Sequence, residues 1–160
     1  MQNKQKKIIV ICIAVAILVI LEQVLKFIIP KEEKITIIQN FLNISYVQNT
    51  GAAFGIGNNN TISFIVISLI VIGLVFRFLI MQIERIDKFI LISLVLILAG
   101  AIGNLIDRVF RGYVVDFIDI TPAISFPIFN LADIYITLGW VLFIIATIIG
   151  YVKSEKKGQA

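Results

Sequence analysis

Four apolar runs constrain this chain more than any other feature: Ile8–Ile29, Ile62–Met81, Phe89–Ile106 and Ile134–Val152. Each holds about 18–22 residues, and at about 1.5 Å of rise per residue such a helix matches a hydrocarbon core about 30 Å thick. Hydrophobic residues make up 59% of the chain, whereas a soluble domain averages roughly 45–50%. The runs therefore read as membrane spans. They predict an α-helical membrane protein, a four-transmembrane-helix bundle in a single integral membrane domain over residues 1–160.

Basic residues set the expected orientation. With the N-terminus inside, the cytoplasmic side carries Lys4, Lys6, Lys7, Arg77, Arg85, Lys88, Lys153, Lys156 and Lys157; the outer side carries Lys31, Lys34, Arg108 and Arg111. Lysine and arginine accumulate on cytoplasmic loops, so both termini are expected in the cytoplasm. The net charge of +4 then follows from topology and from anionic membrane lipid, and calls for no nucleic-acid partner. Lys6 and Lys7 before the first run imitate a signal peptide, but the run is too long and lacks a small-residue cleavage site. The lone Cys12 excludes an internal disulfide and a cysteine-cluster metal site. Ile11 precedes it where a lipid-attachment cysteine would follow a small residue, so Cys12 reads as apolar packing. Arg77, near the inner end of its span, snorkels.

Two segments lie outside the membrane on this topology. Lys31–Asn60 contains the β-rich runs Ile35–Ile38 and Ile44–Val47, then the turn-forming Gly57–Asn60, and predicts a small extracellular β-rich segment on the bilayer surface. Asp107–Leu131, broken by Gly112, Pro122 and Pro127, predicts a second extracellular loop. Apart from Glu84, Asp87 and Glu155, every acidic residue falls at or near this outer side. Chemistry is expected at the outer membrane–water boundary.

The chain has no histidine, which removes Ser-His-Asp and Cys-His catalysis and histidine-based zinc proteolysis. Carboxylates, lysines and tyrosines remain. Asp116, within Val114-Val-Asp-Phe-Ile118, and Asp133, within Phe129-Asn-Leu-Ala-Asp133, both have apolar neighbours. Two carboxyls brought together in a poorly solvated site share one proton, so that one activates water while the other polarises a carbonyl. That is peptide hydrolysis without metal or cofactor. A bland alternative is that Asp133 merely caps the fourth helix, where an acid suits the dipole.

Other polar residues join this picture. Asp119 falls on the opposite face from Asp116 if the segment is extended, and reads as solvated or as a loop anchor. Asp107 reads as half of an ion pair at the outer end of the third span. Gly100, Gly103 and Asn104 share a helix face that serves either close helix packing or a groove for a substrate backbone held by Asn104 and Arg108. Glu22 and Lys26, four apart, are placed to pair, with Gln23 beside them. Intramembrane charges suggest function, although Pro30 sets these near the outer end, where side chains snorkel. Gln48–Gly55 joins polar and small residues, and Asn49 offers an amide to an extended ligand.

The motifs Asn49-Thr-Gly-Ala-Ala-Phe54, Gly100-Ala-Ile-Gly-Asn-Leu-Ile-Asp-Arg108, Val115-Asp-Phe117 and Phe129-Asn-Leu-Ala-Asp133, in this order among four spans, resemble bacterial lipoprotein signal peptidase, the signal peptidase II family. The resemblance implies an intramembrane aspartyl endopeptidase. Such an enzyme removes signal peptides from diacylglyceryl-modified prolipoproteins by cutting just before the lipidated cysteine. It implies Asp116 and Asp133 as the catalytic pair. It implies Asn49, Gly100, Asn104, Arg108, Asn130, Glu22 and Lys26 as substrate-binding residues, with no cofactor or metal. A multi-pass protein of the bacterial cytoplasmic membrane, with the antibiotic globomycin bound in the same groove, would follow; a monomer is sufficient for the chemistry. Where the family commonly has Asp-Gln-x-x-Lys, this chain has Glu22-Gln23-Val-Leu-Lys26. Two rival classes compete. A small transporter would use Glu22, Lys26 and Asp133 as relay groups, but it predicts midplane acids and a repeat between halves. A non-catalytic assembly factor would dock by its glycine face and tolerate Asp→Asn changes.

Overall fold

A computed structural model describes residues 2–51 and 60–158. The elements run α1 (Gln2–Ile28), β1 (Ile35–Ile38), β2 (Leu42–Asn49), α2 (Thr61–Gln82), α3 (Lys88–Arg111), β3 (Val114–Asp119) and α4 (Leu131–Gly158). All four helices are long and apolar enough to cross a membrane. Most overrun the hydrophobic stretches, because hydropathy marks membrane depth while a helix continues until something stops it. α1 stops just before Ile29 and Pro30, since the residue preceding a proline is pushed out of the α region. At the start of α3, the Asp87 side chain accepts a hydrogen bond from Phe89 N at 2.8 Å. α3 ends on Gly112, whose φ of 81° is left-handed, a conformation natural to glycine at a helix C-terminus.

α3 is the centre of the bundle and packs on α1, α2 and α4. Small residues let it do so. A side chain at Gly100 would strike the carbonyl oxygen of Ala132, and one at Gly139 would meet Ile97 at 2.7 Å, so α3 and α4 approach backbone to backbone. Gly103 opens instead towards Glu22 of α1, 2.9 Å from where its Cβ would lie. The half of the bundle far from the sheet is filled by Leu79, Leu94 and Leu98, with Ile11, Val15 and Phe143 against them. α1, α2 and α4 present an exposed apolar surface, including Ile17, Phe27, Ile70, Leu74, Ile144 and Ile148, of the kind lipid tails cover. Cys12 is exposed on this surface, which corrects its reading as a packing residue.

At the end of the bundle where α3 stops and α4 starts, an antiparallel sheet has the order β1-β2-β3. The two β-rich runs anticipated in the sequence are β1 and β2. Their short connection holds Asn40 at φ 57°, tolerable because asparagine visits the left-handed region readily. β3 comes from the other polar segment, so the two stretches outside the spans form one sheet rather than a hairpin and a separate loop. In the β2–β3 pairing, Ile44 faces Ile118 and Val47 faces Asp116. β2 therefore carries one extra residue there, a bulge. The turn anticipated at Gly57–Asn60 lies largely outside the described residues.

Candidate active site

Asp116 is brought to α4 by a backbone bridge. After β3 the chain turns at Ile120–Ile124 and returns, so that Ile118 N donates to Phe129 O at 2.8 Å and Phe129 N to Ile118 O at 3.2 Å. In antiparallel pairing this sets Asn130 opposite Phe117, one residue along from Asp116. The Asn130 Nδ2 donates to Asp116 Oδ1 at 2.7 Å. Asn130 then caps α4: its Oδ1 accepts from Asp133 N at 2.9 Å, and Asp133 Oδ2 accepts from Asn130 N at 3.1 Å. This is the reciprocal pattern of a capping box. Capping and proximity to Asp116 thus occur together, and the bland reading of Asp133 describes only one of its two oxygens.

Its other oxygen, Oδ1, accepts from Asn104 Nδ2 of α3 at 2.9 Å. Asp116 Oδ2 accepts from Asn49 Nδ2, at the end of β2, at 2.8 Å. Two carboxyls therefore sit in one polar cluster, and each oxygen receives an N–H. Asp116 is buried and Asp133 half-buried, so the opening lies on the Asp133 side. Burial pushes the Asp116 carboxyl up to about 6, and the negative charge of Asp133 adds to this, against the lowering effect of the Asn49 and Asn130 bonds. Such a group changes protonation near neutral pH, as acid–base chemistry requires.

The remaining candidates divide into those at the opening and those behind it. Arg108 is half-buried; it donates to Asn104 O at 3.3 Å and Gly51 O at 3.2 Å, and its guanidinium lies 5.2 Å from the Phe64 ring centroid. Asn49 Oδ1 accepts from Gly51 N at 2.9 Å. Ala52–Phe54 of the Asn49 motif lie outside the described residues. Gly100 is buried against α4, the helix-packing alternative weighed for it. Glu22 and Lys26 form an ion pair and are fully buried, so they do not snorkel as their position near Pro30 suggested. Neither reaches the surface a substrate would touch.

Asp107 takes the ion-pair role read for it, but with partners the sequence did not indicate. It does pair, but not with its neighbour Arg108: it binds Lys26 Nζ at 2.7 Å and Arg111 Nη1 at 2.6 Å. It also accepts from Val115 N at 3.0 Å and Gln23 Nε2 at 3.1 Å, tying α1, α3 and β3 together behind the carboxyl pair. The available signal was its spacing, three residues after Asn104 and four after Gly103 on one helix face. Asp119 takes the loop-anchor role and is buried, bonded to Lys34 at 2.8 Å, Ser45 at 3.2 Å and Thr121 N at 2.9 Å. It points away from Asp116, as an odd spacing along a strand requires. Burial opposes its ionisation, but the Lys34 and Thr121 bonds outweigh that and hold it well below the usual carboxylate range. Among the described residues no cluster of His, Cys, Asp and Glu is arranged to hold a metal.

A family model described as "Signal peptidase (SPase) II" matches residues 13–149. The chain is 44% identical over 134 residues to a "Lipoprotein signal peptidase" of Staphylococcus aureus, covering 80% of this chain and 81% of that protein. It is 40% identical over 151 residues to a protein of the same description from Caldanaerobacter subterraneus, covering 91% of this chain and 97% of the relative. A bacterial membrane enzyme solved by the in meso method at 2.3 Å superposes with a TM-score of 0.79 at 36% identity, covering 87% of each chain.

Proposed function

The chain belongs to the signal peptidase II family, and from that premise we propose that Asp116 and Asp133 are the reacting pair of an aspartyl endopeptidase. It is a multi-pass bacterial membrane protein that cleaves signal peptides from prolipoproteins. The observation that carries the aspartyl reading is the joining of both carboxyls through one residue, Asn130, in a site where every carboxyl oxygen is met by an N–H.

The ionised carboxyl takes a proton from water as the oxygen attacks the scissile carbonyl carbon, and the protonated carboxyl hydrogen-bonds the carbonyl oxygen. Collapse of the tetrahedral intermediate passes a proton to the leaving amine and returns the pair to its singly protonated state. Asp116, the more buried member, is the natural carrier of the shared proton, and a substrate that excludes water strengthens that tendency. Arg108 and Asn49 border the opening, where they can hold an extended substrate backbone. The basic-residue asymmetry places both termini in the cytoplasm and the sheet on the outer face. There a diacylglyceryl-modified cysteine, anchored at the headgroup boundary, presents the bond that precedes it. A single copy contains every group this chemistry uses, so the working unit is the monomer.

The test is cleavage of a diacylglyceryl-modified prolipoprotein, followed by gel shift, with purified wild type, Asp116→Asn and Asp133→Asn. Both variants are expected to fold and to lose activity by at least about three orders of magnitude. Cleavage at a wild-type rate by either one would falsify the pair. It would also favour the assembly-factor reading, in which these changes are silent.

A further inference from the structure

The three asparagines around the carboxyl pair are not held alike. An amide has an accepting oxygen and a donating NH2, so a donor held against the oxygen fixes which end faces a carboxylate. Asn49 Oδ1 is fixed by the backbone N–H of Gly51, and Asn130 Oδ1 by that of Asp133. Among the described residues, Asn104 Oδ1 accepts only from side chains: Asn130 Nδ2 at 3.0 Å and Lys26 Nζ at 3.1 Å. Asn130 Nδ2 is shared with Asp116 at the shorter distance of 2.7 Å. Of the two partners of Asn104 Oδ1, the cation is thus the one not also bonded to the carboxyl pair.

Lys26 is 2% exposed, and its ammonium has three protons to donate. Those protons meet three acceptors: Glu22, Asp107 Oδ2 at 2.7 Å and Asn104 Oδ1. No donor is left over for a substrate, so Lys26 acts on the reaction from behind the pair, by its hydrogen bond to Asn104 and by its charge. We propose that Lys26 is a positioning residue: its buried ammonium holds Asn104 Oδ1, so that the amide presents Nδ2 to Asp133 Oδ1 and keeps that carboxyl a hydrogen-bond acceptor. Glu22 and Asp107 hold the ammonium in place, and Arg111 balances Asp107 from its far side. This inference rests on Asp116 and Asp133 being the reacting pair.

The charges facing the pair come from several elements: Glu22 and Lys26 on α1, Asp107 and Arg108 on α3, with Arg111 beyond Asp107 and Tyr135 on α4 near Glu22. Removing the cation from this set leaves Asn104 loosely held and disfavours ionisation of the pair. Activity then requires higher pH.

The experiment measures kcat and KM against pH on a diacylglyceryl-modified prolipoprotein peptide. It compares wild type, Lys26→Met, Lys26→Arg and the charge-balanced pair Glu22→Gln/Lys26→Met, with thermal unfolding of each. In Lys26→Met, kcat is expected to fall about tenfold or more with KM within about threefold, and the acid limb of the profile to move upwards by at least about half a pH unit. The balanced pair, relieved of the uncompensated buried acid, is expected to unfold like wild type and still show the kcat loss. Lys26→Arg, which keeps a donor-only cation, is expected to leave the acid limb in its wild-type place. Three results overturn the proposal: a rise in KM at unchanged kcat, a kcat loss with an unmoved acid limb, or a displaced limb in Lys26→Arg. If neither methionine variant folds, the Lys26→Arg limb decides. Loss of the pair itself is detected separately, by cleavage in Asp116→Asn or Asp133→Asn.

Discussion

α2 and α3 are nearly equal in hydropathy, 2.8 and 2.6 over their most apolar stretches, yet 6% of that stretch is buried in α2 and 56% in α3. Hydropathy says that a helix enters a membrane and says nothing about which neighbour it finds there, since lipid tails are as apolar as leucine. What separates the two is the distribution of small and polar residues. α3 carries Gly100, Gly103, Asn104 and Asp107 towards other helices, while α2 has Gly73 with nothing within 4 Å of its would-be side chain. A lone small residue facing lipid is spare volume; small residues facing backbone are a packing surface.

The difference can be broken by substitution. The largest effect is expected at Gly100→Val, where the new side chain meets the Ala132 carbonyl. Backbone cannot yield as a side-chain tip can, so destabilisation should reach about 3 kcal/mol or more, read as loss of the folded species in detergent melts together with loss of cleavage. An unaltered melt would show that α3 and α4 can separate, and the contrast with α2 would lose its basis.

Next in size is a pH effect at Asp116. Its folded value of about 6 lies above the ordinary 3.8, so the folded state favours the protonated form. The stability this contributes is complete below about 3.8 and is lost as pH rises through about 6, a difference of about 3 kcal/mol. Asp116→Asn stays neutral throughout. Relative to wild type, it should gain up to about 3 kcal/mol at pH 8 compared with pH 4, measured by equilibrium unfolding at both pH values. Equal effects at the two pH values would mean that Asp116 is not a group destabilised by burial.

Smaller again is Arg111→Leu, because that guanidinium is partly exposed and Asp107 keeps Lys26 as a second cation. A loss of about 1 kcal/mol is expected, and one above about 3 kcal/mol would make Arg111 indispensable to the buried cluster. The smallest effect belongs to α2. Gly73→Ala should be neutral or stabilising by at most about 1 kcal/mol, since alanine is the better helix former and no neighbour objects. Clear destabilisation there would reveal a partner for α2 outside the described chain.

Much of the candidate site was legible along the chain. The absence of histidine narrowed acid–base chemistry to carboxylates, lysines and tyrosines, and apolar neighbours pointed to Asp116 and Asp133. The i, i+4 spacing of Glu22 and Lys26 predicted their ion pair. That Asp107 pairs was legible, but its partners were not, because an ion pair across two helices depends on which faces meet, and Arg108, adjacent in sequence, was a poor guide. The Gly100 face left packing and substrate binding open, and only the position of Ala132 on α4 distinguished them.

By itself, then, the sequence determined the properties that depend on composition and local spacing: four spans, the basic-residue asymmetry, two β-rich runs and a pair of acids with apolar neighbours. Tertiary structure decided what depends on non-local register. β3 joins β1 and β2 in one sheet, and the bridge from Ile118 to Phe129 sets Asn130 beside Asp116 while its own oxygen caps α4. The physical reason is that hydrophobicity and periodicity are written along the chain, whereas backbone pairing between distant strands, and the choice of acceptor by a buried cation, are settled only when every buried polar group must find a partner at once.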